Sequence, residues 1–292
     1  MNTLSTISQS HPRGQIEASL DPHLPRRILA CLSLSSRTPA IAAEAWRIAQ
    51  AIQAECCFLH VGPADSQAQA YLRHALAQAK VPHDIPLWLF EGKPPRTVEQ
   101  VVRQHRFDLV VAGVLNRQAT FSRHFRSVAG RIAASSPCSV LLLTDPRVER
   151  QPFKRIVAAV DFDDLSRAML STALAWGRRE GVEHWHIVHE YDPSGFYSLP
   201  GRPEPRSRTE QLHRLEEFIR PFDWSGIHLQ RQCLLNKHGC DAVWYAQTMR
   251  ADMLCLPLSA RRQGFWERML RFRLDVDIHA LPCAVLLYRK TA

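Results

Sequence analysis

Several features that would assign this chain to a familiar class are scarce or missing. Only 12 of its 292 residues are glycine, below the usual share of about 7%, so few segments can wrap a phosphate with backbone amides. The sequence contains no GxxxxGK(S/T), GxGxxG or GxSxG segment, the signatures of P-loop, dinucleotide-binding and serine-hydrolase sites. No CxxC pair occurs either, so a structural zinc site is not expected.

Long apolar stretches are also missing. No run approaches the roughly 18–20 apolar residues of a membrane-spanning helix, and the first 25 residues lack the apolar core of a secretory signal. We therefore expect a cytoplasmic protein without a membrane partner. The formal charge is +9, but the basic residues are spread along the chain and only five are lysine. Without a recognisable nucleic-acid-binding module, this charge does not predict a nucleic-acid partner.

The eight cysteines do not form a disulfide framework. Four of them lie inside apolar runs such as CSVLLL and CAVLLY, namely Cys31, Cys138, Cys255 and Cys283. In such runs cysteine behaves as a small hydrophobic residue, which fits a reducing compartment. With 46% hydrophobic and 22% charged residues, the chain has the composition of a globular protein with a sizeable core.

An internal repeat is the most informative feature that is present. Three segments recur in the same order, 128, 144 and 145 residues apart: Arg27–Ser33 with Arg155–Asp161, Phe107–Gly113 with Ala251–Pro257, and Pro137–Leu143 with Pro282–Tyr288. The change in spacing corresponds to an insertion of about sixteen residues in the second half, where SGFYSLPGRPEPRSR is typical of a loop. The sequence therefore predicts a duplicated domain.

Each half alternates short apolar runs with helical patterns. The predicted strands are Ile28–Leu32, Phe58–Val61, Ile85–Phe90, Leu109–Ala112 and Val140–Leu143, then Ile156–Val160, Trp185–His189, Ile227–Leu234, Met253–Leu256 and Ala284–Tyr288. The predicted helices are Pro39–Ala54, Ser66–Gln78, Arg96–Gln104 and His124–Ala134, then Ser166–Arg179, Thr209–Ile219, Asp241–Met249 and Trp266–Ala280. Apolar strands that alternate with helices favour an α/β fold with parallel strands covered on both faces.

The predicted architecture is two tandem doubly wound, Rossmann-like domains, each a five-stranded parallel sheet with helices on both faces. We place an N-terminal arm at residues 1–25, the first domain at 26–145 and the second at 153–292. The polar segment Thr144–Pro152 is the predicted linker.

The paired segments together resemble the universal stress protein family in its tandem two-domain form. RIVAAVD resembles the family's first strand, which ends in an aspartate, and PCSVLLL and PCAVLLY resemble the lead-in to its last strand. The family's fourth strand runs into a phosphate loop of the form G-x2-G-x9-G-(S/T). The resemblance implies that the halves pack as a pseudo-dimer through their last strands, VLLL and VLLY. It leaves open whether two chains then form a homodimer.

Neither half keeps the whole nucleotide motif of the family. In the first half the glycine positions hold Gly113, Asn116 and Arg126, Ser127 follows, and Ser33 stands at the aspartate position. In the second half Asp161 is kept, while the loop positions hold Pro257, Ala260, Arg271 and Phe272. Proline has no N–H to donate, so the second half is not expected to bind ATP in the family mode. In the first half, arginine could replace backbone amides as the ligand of a phosphate.

Other groups of polar residues have simpler explanations than metal binding. His184 and His186 lie on one side of a predicted strand and His189 on the other, which is short of a three-ligand site. Cys233, His238 and Cys240 lack the paired spacing of a zinc site. The run DFDDLS supplies N-capping residues for the next helix, which explains its acidic side chains without magnesium.

The resemblance implies a non-enzymatic universal stress protein that acts in the stress response as a regulatory or partner-binding module, with an unidentified protein partner. The alternative is a switch that binds ATP or AMP, with weak hydrolysis, through the first-half loop. The candidate nucleotide-binding residues are Ser33, Gly113, Asn116, Arg126 and Ser127 in the first half and Asp161 in the second. No catalytic or metal site is assigned, because no catalytic arrangement can be recognised from spacing.

Overall fold

A computed structural model describes residues 21–114, 128–149, 151–191, 207–235, 241–258 and 281–290. The first half contains β1 (Arg27–Leu32), α1 (Thr38–Ile52), β2 (Glu55–Val61), α2 (Ser66–Gln78), β3 (Leu87–Phe90), α3 (Pro94–His105), β4 (Leu109–Gly113), α4 (Val128–Ser135) and β5 (Ser139–Leu143). The second contains β6 (Arg155–Ala159), α5 (Asp164–Glu180), β7 (His184–Tyr191), α6 (Arg208–Ile219), β8 (His228–Leu235), α7 (Asp241–Thr248), β9 (Met253–Pro257) and β10 (Ala284–Tyr288).

The predicted strands are all present, with ends shifted by at most three residues. The third begins at Leu87 rather than Ile85, because Pro86 cannot donate a hydrogen bond to the neighbouring strand. Two predictions extend beyond the described residues: the start of the helix at His124–Ala134 and the helix at Trp266–Ala280. The N-terminal arm lies almost wholly outside them, and the domain boundaries stay a prediction.

The strands form one ten-stranded sheet in the order β3-β2-β1-β4-β5-β10-β9-β6-β7-β8. Each half contributes five parallel strands in the same order, and the halves join where β5 pairs antiparallel with β10. At this join Val285 lies opposite Leu142 and Leu286 opposite Leu141. The predicted fold class and the pairing of the two last strands are confirmed.

Helices cover both faces of the sheet, and successive strand residues face opposite cores. Ile28 packs in the core beneath α1, α2, α5 and α6, whereas Leu29 packs in the core with α3, α4 and α7. The adjacent Cys56 and Cys57 divide in the same way and are both buried. This division explains the unbroken apolar runs of the sequence, since a strand covered on both faces needs no polar alternation.

The halves also meet through α1 and α5 on one face of the sheet. Arg47 of α1 donates from Nη1 to Oε2 of Glu180, the last residue of α5, at 2.6 Å. The Glu180 side chain is fully buried and accepts further bonds from the Trp176 indole and the Phe153 amide, both at 3.2 Å. The halves therefore pack as a pseudo-dimer with a buried ion pair across the join.

One aspartate in each half clamps the start of the first strand to the fourth. Asp108 Oδ2 accepts from the amides of Arg26 and Arg27 at 2.9 and 3.0 Å. Asp252 Oδ2 accepts from the equivalent amides of Lys154 and Arg155 at 2.8 and 2.9 Å. The repeat is thus preserved in hydrogen bonding as well as in sequence. Within the described ranges, no helix is both long enough and apolar enough to cross a membrane.

Candidate ligand-binding cleft

A cleft of about 250 Å³ lies at the carboxyl ends of β1, β2 and β4. In this half β1 has β2 on one side and β4 on the other, so the strand order reverses beside it. The helix after β1 covers one face of the sheet and the helix after β4 covers the other. Helices that leave in opposite directions open a crevice at the strand ends, where ligands bind in doubly wound folds.

Most of the cleft wall is apolar. The strand ends and the first turns of α1, α3 and α4 supply it: Cys31, Leu32, Ser33, Ser35, Arg37, Ile41, Leu59, His60, Val61, Pro94, Val98, Ala112, Gly113, Val114, Val128, Ala129 and Ile132. Ser33 and Ser35 bring hydroxyl groups, whose oxygens lie 3.1 Å apart. A wall with a few polar groups at one edge suits a small, mostly apolar molecule.

Two of the predicted site residues come together in this cleft. Ser33 follows β1 and is exposed, and Gly113 ends β4. Three others, Asn116, Arg126 and Ser127, lie outside the described residues, and their role in nucleotide binding stays a prediction.

Gly113 packs closely against the side chain of Ile41. A Cβ atom at this position would lie 2.3 Å from Cδ1 of Ile41, which projects from the first turns of α1. That distance is far below a van der Waals contact, so a side chain here would require the Ile41 side chain to shift. The glycine that resembled the start of a phosphate loop therefore has a structural reason to be glycine.

Among the described lining residues, Arg37 carries a permanent charge, and His60 is the other residue with a basic side chain. Its guanidinium donates to the carbonyl of Val114 and, at 2.7 Å, to the carbonyl of Thr144. These bonds connect the ends of β4 and β5 to the start of α1. Because two of its donors are engaged by the backbone, Arg37 organises the cleft more than it offers charge to a ligand.

His60 is the buried polar side chain that the sequence analysis did not single out. It is 4% exposed, and its Nδ1 lies 3.0 Å from the carbonyl of Leu32, so the ring donates to the end of β1. Its Nε2 has no hydrogen-bond partner within the described part of the chain. The repeat contained a signal for this residue, because FLHVG of β2 aligns with IVHE of β7. There His189, which is 3% exposed, lies 2.8 Å from the carbonyl of Val160 in the same way.

The sequence of this half matches a known family. Residues 25–144, which span β1 to β5 and the described cleft, match the model of the universal stress protein family. The chain carries a universal stress protein domain. This match supports a role in the stress response. A comparison with curated protein sequences finds no match.

Solved structures share the fold of this universal stress domain and of the half that follows it. A candidate universal stress protein from Pseudomonas aeruginosa UCBPP-PA14 has a TM-score of 0.64 at 14% identity, over 92% of this chain and 95% of its own. A functionally unknown protein from Pseudomonas aeruginosa PAO1 has a TM-score of 0.63 at 14% identity, over 92% and 94%. A universal stress protein from Archaeoglobus fulgidus DSM 4304 has 0.59 at 14%, over 90% and 96%. At such identity the likeness establishes the fold alone.

Asp161, the last predicted site residue, lies outside the universal stress domain, at the end of β6. Its amide donates to the Ser166 hydroxyl at 2.9 Å, while Asp163 caps α5 by accepting from the Ser166 amide at 2.7 Å. The capping interpretation of DFDDLS is therefore confirmed for Asp163. Asp161 is half-buried and is not among the residues that line the first-half cleft, and its role in nucleotide binding stays a prediction.

The histidines of β7 serve in packing. The His184 ring stacks on His228 of β8 at 5.2 Å, and His186 Nδ1 lies 3.1 Å from the Tyr245 hydroxyl. Burial, followed by the charge of Arg155 and then His184, lowers the pKa of His186. No group of three metal-ligating side chains is found in the described ranges, which exclude His238 and Cys240.

The described cysteines are unreactive in character. Burial raises the pKa of Cys31 and Cys56 to about 12 and that of Cys138 and Cys233 to about 11. At neutral pH these thiols are protonated, and a protonated thiol is a poor nucleophile. Cys31 lines the cleft, but as a small apolar side chain rather than a nucleophile.

Proposed function

We propose that this protein is a non-enzymatic module of the stress response, in which the cleft of the universal stress domain senses a small molecule. The observation that carries the proposal is the position of the cleft, at the strand-order reversal of a family domain, with Ser33 and Gly113 in its lining. Occupation of the cleft would tie the ends of β1 and β4 to α1, α3 and α4. The occupied form would then present an altered surface to a protein partner, in the cytoplasm.

A non-enzymatic role is supported by the chemistry of the described lining residues. Reaction would need an activated nucleophile or a matched acid and base. Cys31 has a raised pKa, and Arg37 is engaged by backbone carbonyls. His60 Nδ1 is likewise occupied by the Leu32 carbonyl.

The competing function is a switch that binds ATP or AMP in the same cleft. The presence of both Ser33 and Gly113 in the lining favours it, since these stand at motif positions of the family. A nucleotide would also need ligands for its phosphates, which the prediction assigns to Asn116, Arg126 and Ser127.

The test is mass spectrometry of small molecules released from the purified full chain, with calorimetric titration of ATP and AMP. Ser33→Trp should close the mouth of the cleft, because this residue is exposed and lines it. Ser36→Trp is the matched control, since Ser36 is exposed in the same loop but does not line the cleft. We expect a released molecule from the wild type and Ser36→Trp, and none from Ser33→Trp.

Each result decides between the two functions. Release of an adenine nucleotide, with phosphate liberated from added ATP, would establish the switch instead. Absence of any released molecule, together with no heat from either nucleotide, would refute a sensing cleft.

A further inference from the structure

A second cavity lies where the two halves join, away from the cleft of the universal stress domain. It holds about 230 Å³ and shares no described lining residue with the cleft. The first half bounds it with residues 22–26 before β1 and with the starts of β4 and β5, and the second half with one face of α5 and the end of β10. A molecule in this cavity therefore contacts both halves of the chain.

Arg289 follows β10 and is held in the wall of this cavity through its backbone. Its amide donates to Oγ of Ser139 at 3.0 Å, and the Ser139 hydroxyl donates to the Arg289 carbonyl at 3.1 Å. Ser139 begins β5 in the other half and is 5% exposed. Because these two bonds cross the join, the backbone of Arg289 is fixed before any ligand arrives.

The side chain of Arg289, unlike its backbone, has no hydrogen-bond acceptor within the described residues. It is half-buried, and its Nε is enclosed without a partner. Every other half-buried arginine in the described ranges donates a side-chain hydrogen bond to the protein, namely Arg27, Arg37, Arg47, Arg73, Arg155 and Arg214. A guanidinium that leaves water without finding acceptors is destabilising, so an acceptor from outside the chain would stabilise this arrangement.

The charge of the cavity wall favours a negatively charged occupant. His23 and Arg26 add basic side chains to that of Arg289. Asp108 is the acidic residue among the described lining residues, and its Oδ2 already accepts from two backbone amides. Burial lowers the pKa of Arg289, but an arginine remains charged at neutral pH. The wall therefore carries a net positive charge.

We propose that this cavity binds a small oxyanion, a phosphate or carboxylate group, which accepts hydrogen bonds from the Arg289 guanidinium at the join of the two halves. The N–H groups of a guanidinium form a planar fork that matches the oxygens of either group. A cavity of about 230 Å³ holds such an anion together with water molecules, each of which takes about 30 Å³ in the liquid. The site is independent of the cleft and of the function proposed for it.

The experiment is calorimetric titration of the full chain with sodium phosphate and with sodium acetate, at an ionic strength held constant with sodium chloride. We expect binding that saturates at one anion per chain. Arg289→Met keeps an apolar stem but removes the guanidinium, so the affinity should fall roughly ten- to hundredfold. Lys290→Met is the matched control, because it removes a positive charge from the next residue, which is exposed and does not line the cavity. Its affinity should equal that of the wild type.

A second variant tests the geometry of the guanidinium. Arg289→Lys keeps the charge but loses the planar fork, so the affinity should fall several-fold. This variant also serves if Arg289→Met fails to fold.

Stability provides an independent measurement. An anion that binds the folded chain alone raises the midpoint of urea unfolding. Phosphate also stabilises proteins in general by exclusion from their surface, so the increase is compared between variants. It should be larger in the wild type and Lys290→Met than in Arg289→Met.

The results decide the proposal and the kind of anion. Tighter binding of phosphate would assign the site to phosphate groups, and tighter binding of acetate would assign it to carboxylates. No heat from either anion in the wild type would overturn the site. Unchanged affinity in folded Arg289→Met, or in Arg289→Lys if the methionine variant does not fold, would also overturn it. Affinity that is lost in Ser33→Trp instead would place the anion in the cleft and overturn a site at the join.

Discussion

The ion pair between Arg47 and Glu180 offers a direct test of how the two halves are held together. Glu180 has no exposed side-chain surface, and Arg47 retains 21%. Replacing Arg47 by methionine keeps an apolar stem over Phe153, whose ring lies 5.2 Å from the guanidinium carbon. Among the described residues, the carboxylate then keeps the Trp176 indole and the Phe153 amide as its donors. Breaking a buried pair costs about 3–5 kcal/mol, and the partial exposure of Arg47 favours the lower value.

The decisive comparison is the effect of Glu180→Gln in two backgrounds. With Arg47 present, the change removes an ion pair and should lower the free energy of unfolding. With Arg47→Met already in place, it removes an uncompensated buried charge, so it should raise that free energy by about 1–2 kcal/mol. In a double-mutant cycle, the effect of Glu180→Gln on the free energy of unfolding should therefore change sign between the two backgrounds.

Equilibrium unfolding in urea, followed by tryptophan fluorescence, measures all four proteins. Arg103→Met is the control, because Arg103 pairs with Glu99 at 3.2 Å on an exposed helix surface. That loss should stay near 0.5 kcal/mol. If Glu180→Gln has the same sign in both backgrounds, or if Arg47→Met costs no more than Arg103→Met, the buried pair does not contribute as argued.

Three further predictions follow from single contacts. Gly113→Ala should lower the free energy of unfolding by about 1–3 kcal/mol. Adding Ile41→Val removes Cδ1 and should recover part of the loss. If urea unfolding shows no recovery, the contact with Ile41 is not the cause. Asp108→Ala and Asp252→Ala should each cost about 2 kcal/mol, since each carboxylate serves two backbone amides; losses in melting experiments that differ widely would contradict an equivalent clamp. Folding lowers the pKa of His186 below its usual 6.5. As the pH falls, the unfolded chain therefore takes up a proton at this histidine before the folded protein does, and the free energy of unfolding decreases below pH 6.5. In urea unfolding at several pH values, His186→Gln should weaken this decrease.

Much of the fold could be predicted because it depends on local apolar patterns and on repetition. Strands that are buried on both faces appear in the sequence as unbroken apolar runs, and the repeat showed that one arrangement occurs twice. The lead-ins at Pro137 and Pro282 correctly pointed to the last strands, which join the halves.

The candidate site was harder to predict, because it depends on distances between elements far apart in the chain. Ser33 and Gly113 do meet, yet Asp161 lies in the other half. Motif position suggested phosphate binding for Gly113, which stays a prediction, while the close approach of Ile41 appears only in the structure. His60 carried a signal in the repeat, but nothing in the sequence indicated that its ring would line a cleft.

The sequence by itself determined the α/β class, the duplication and the strand that joins the halves. Each of these depends on the apolar pattern of a single segment or on its repetition, and both are visible in the sequence. Only the tertiary structure decided which residues of distant segments line the first-half cleft. That lining depends on how α1, α3 and α4 pack around the ends of β1, β2 and β4. The repeated segments form the same strands in both halves. Side chains at the strand ends can differ between the halves, because the sheet is held by hydrogen bonds between strands and by buried strand residues.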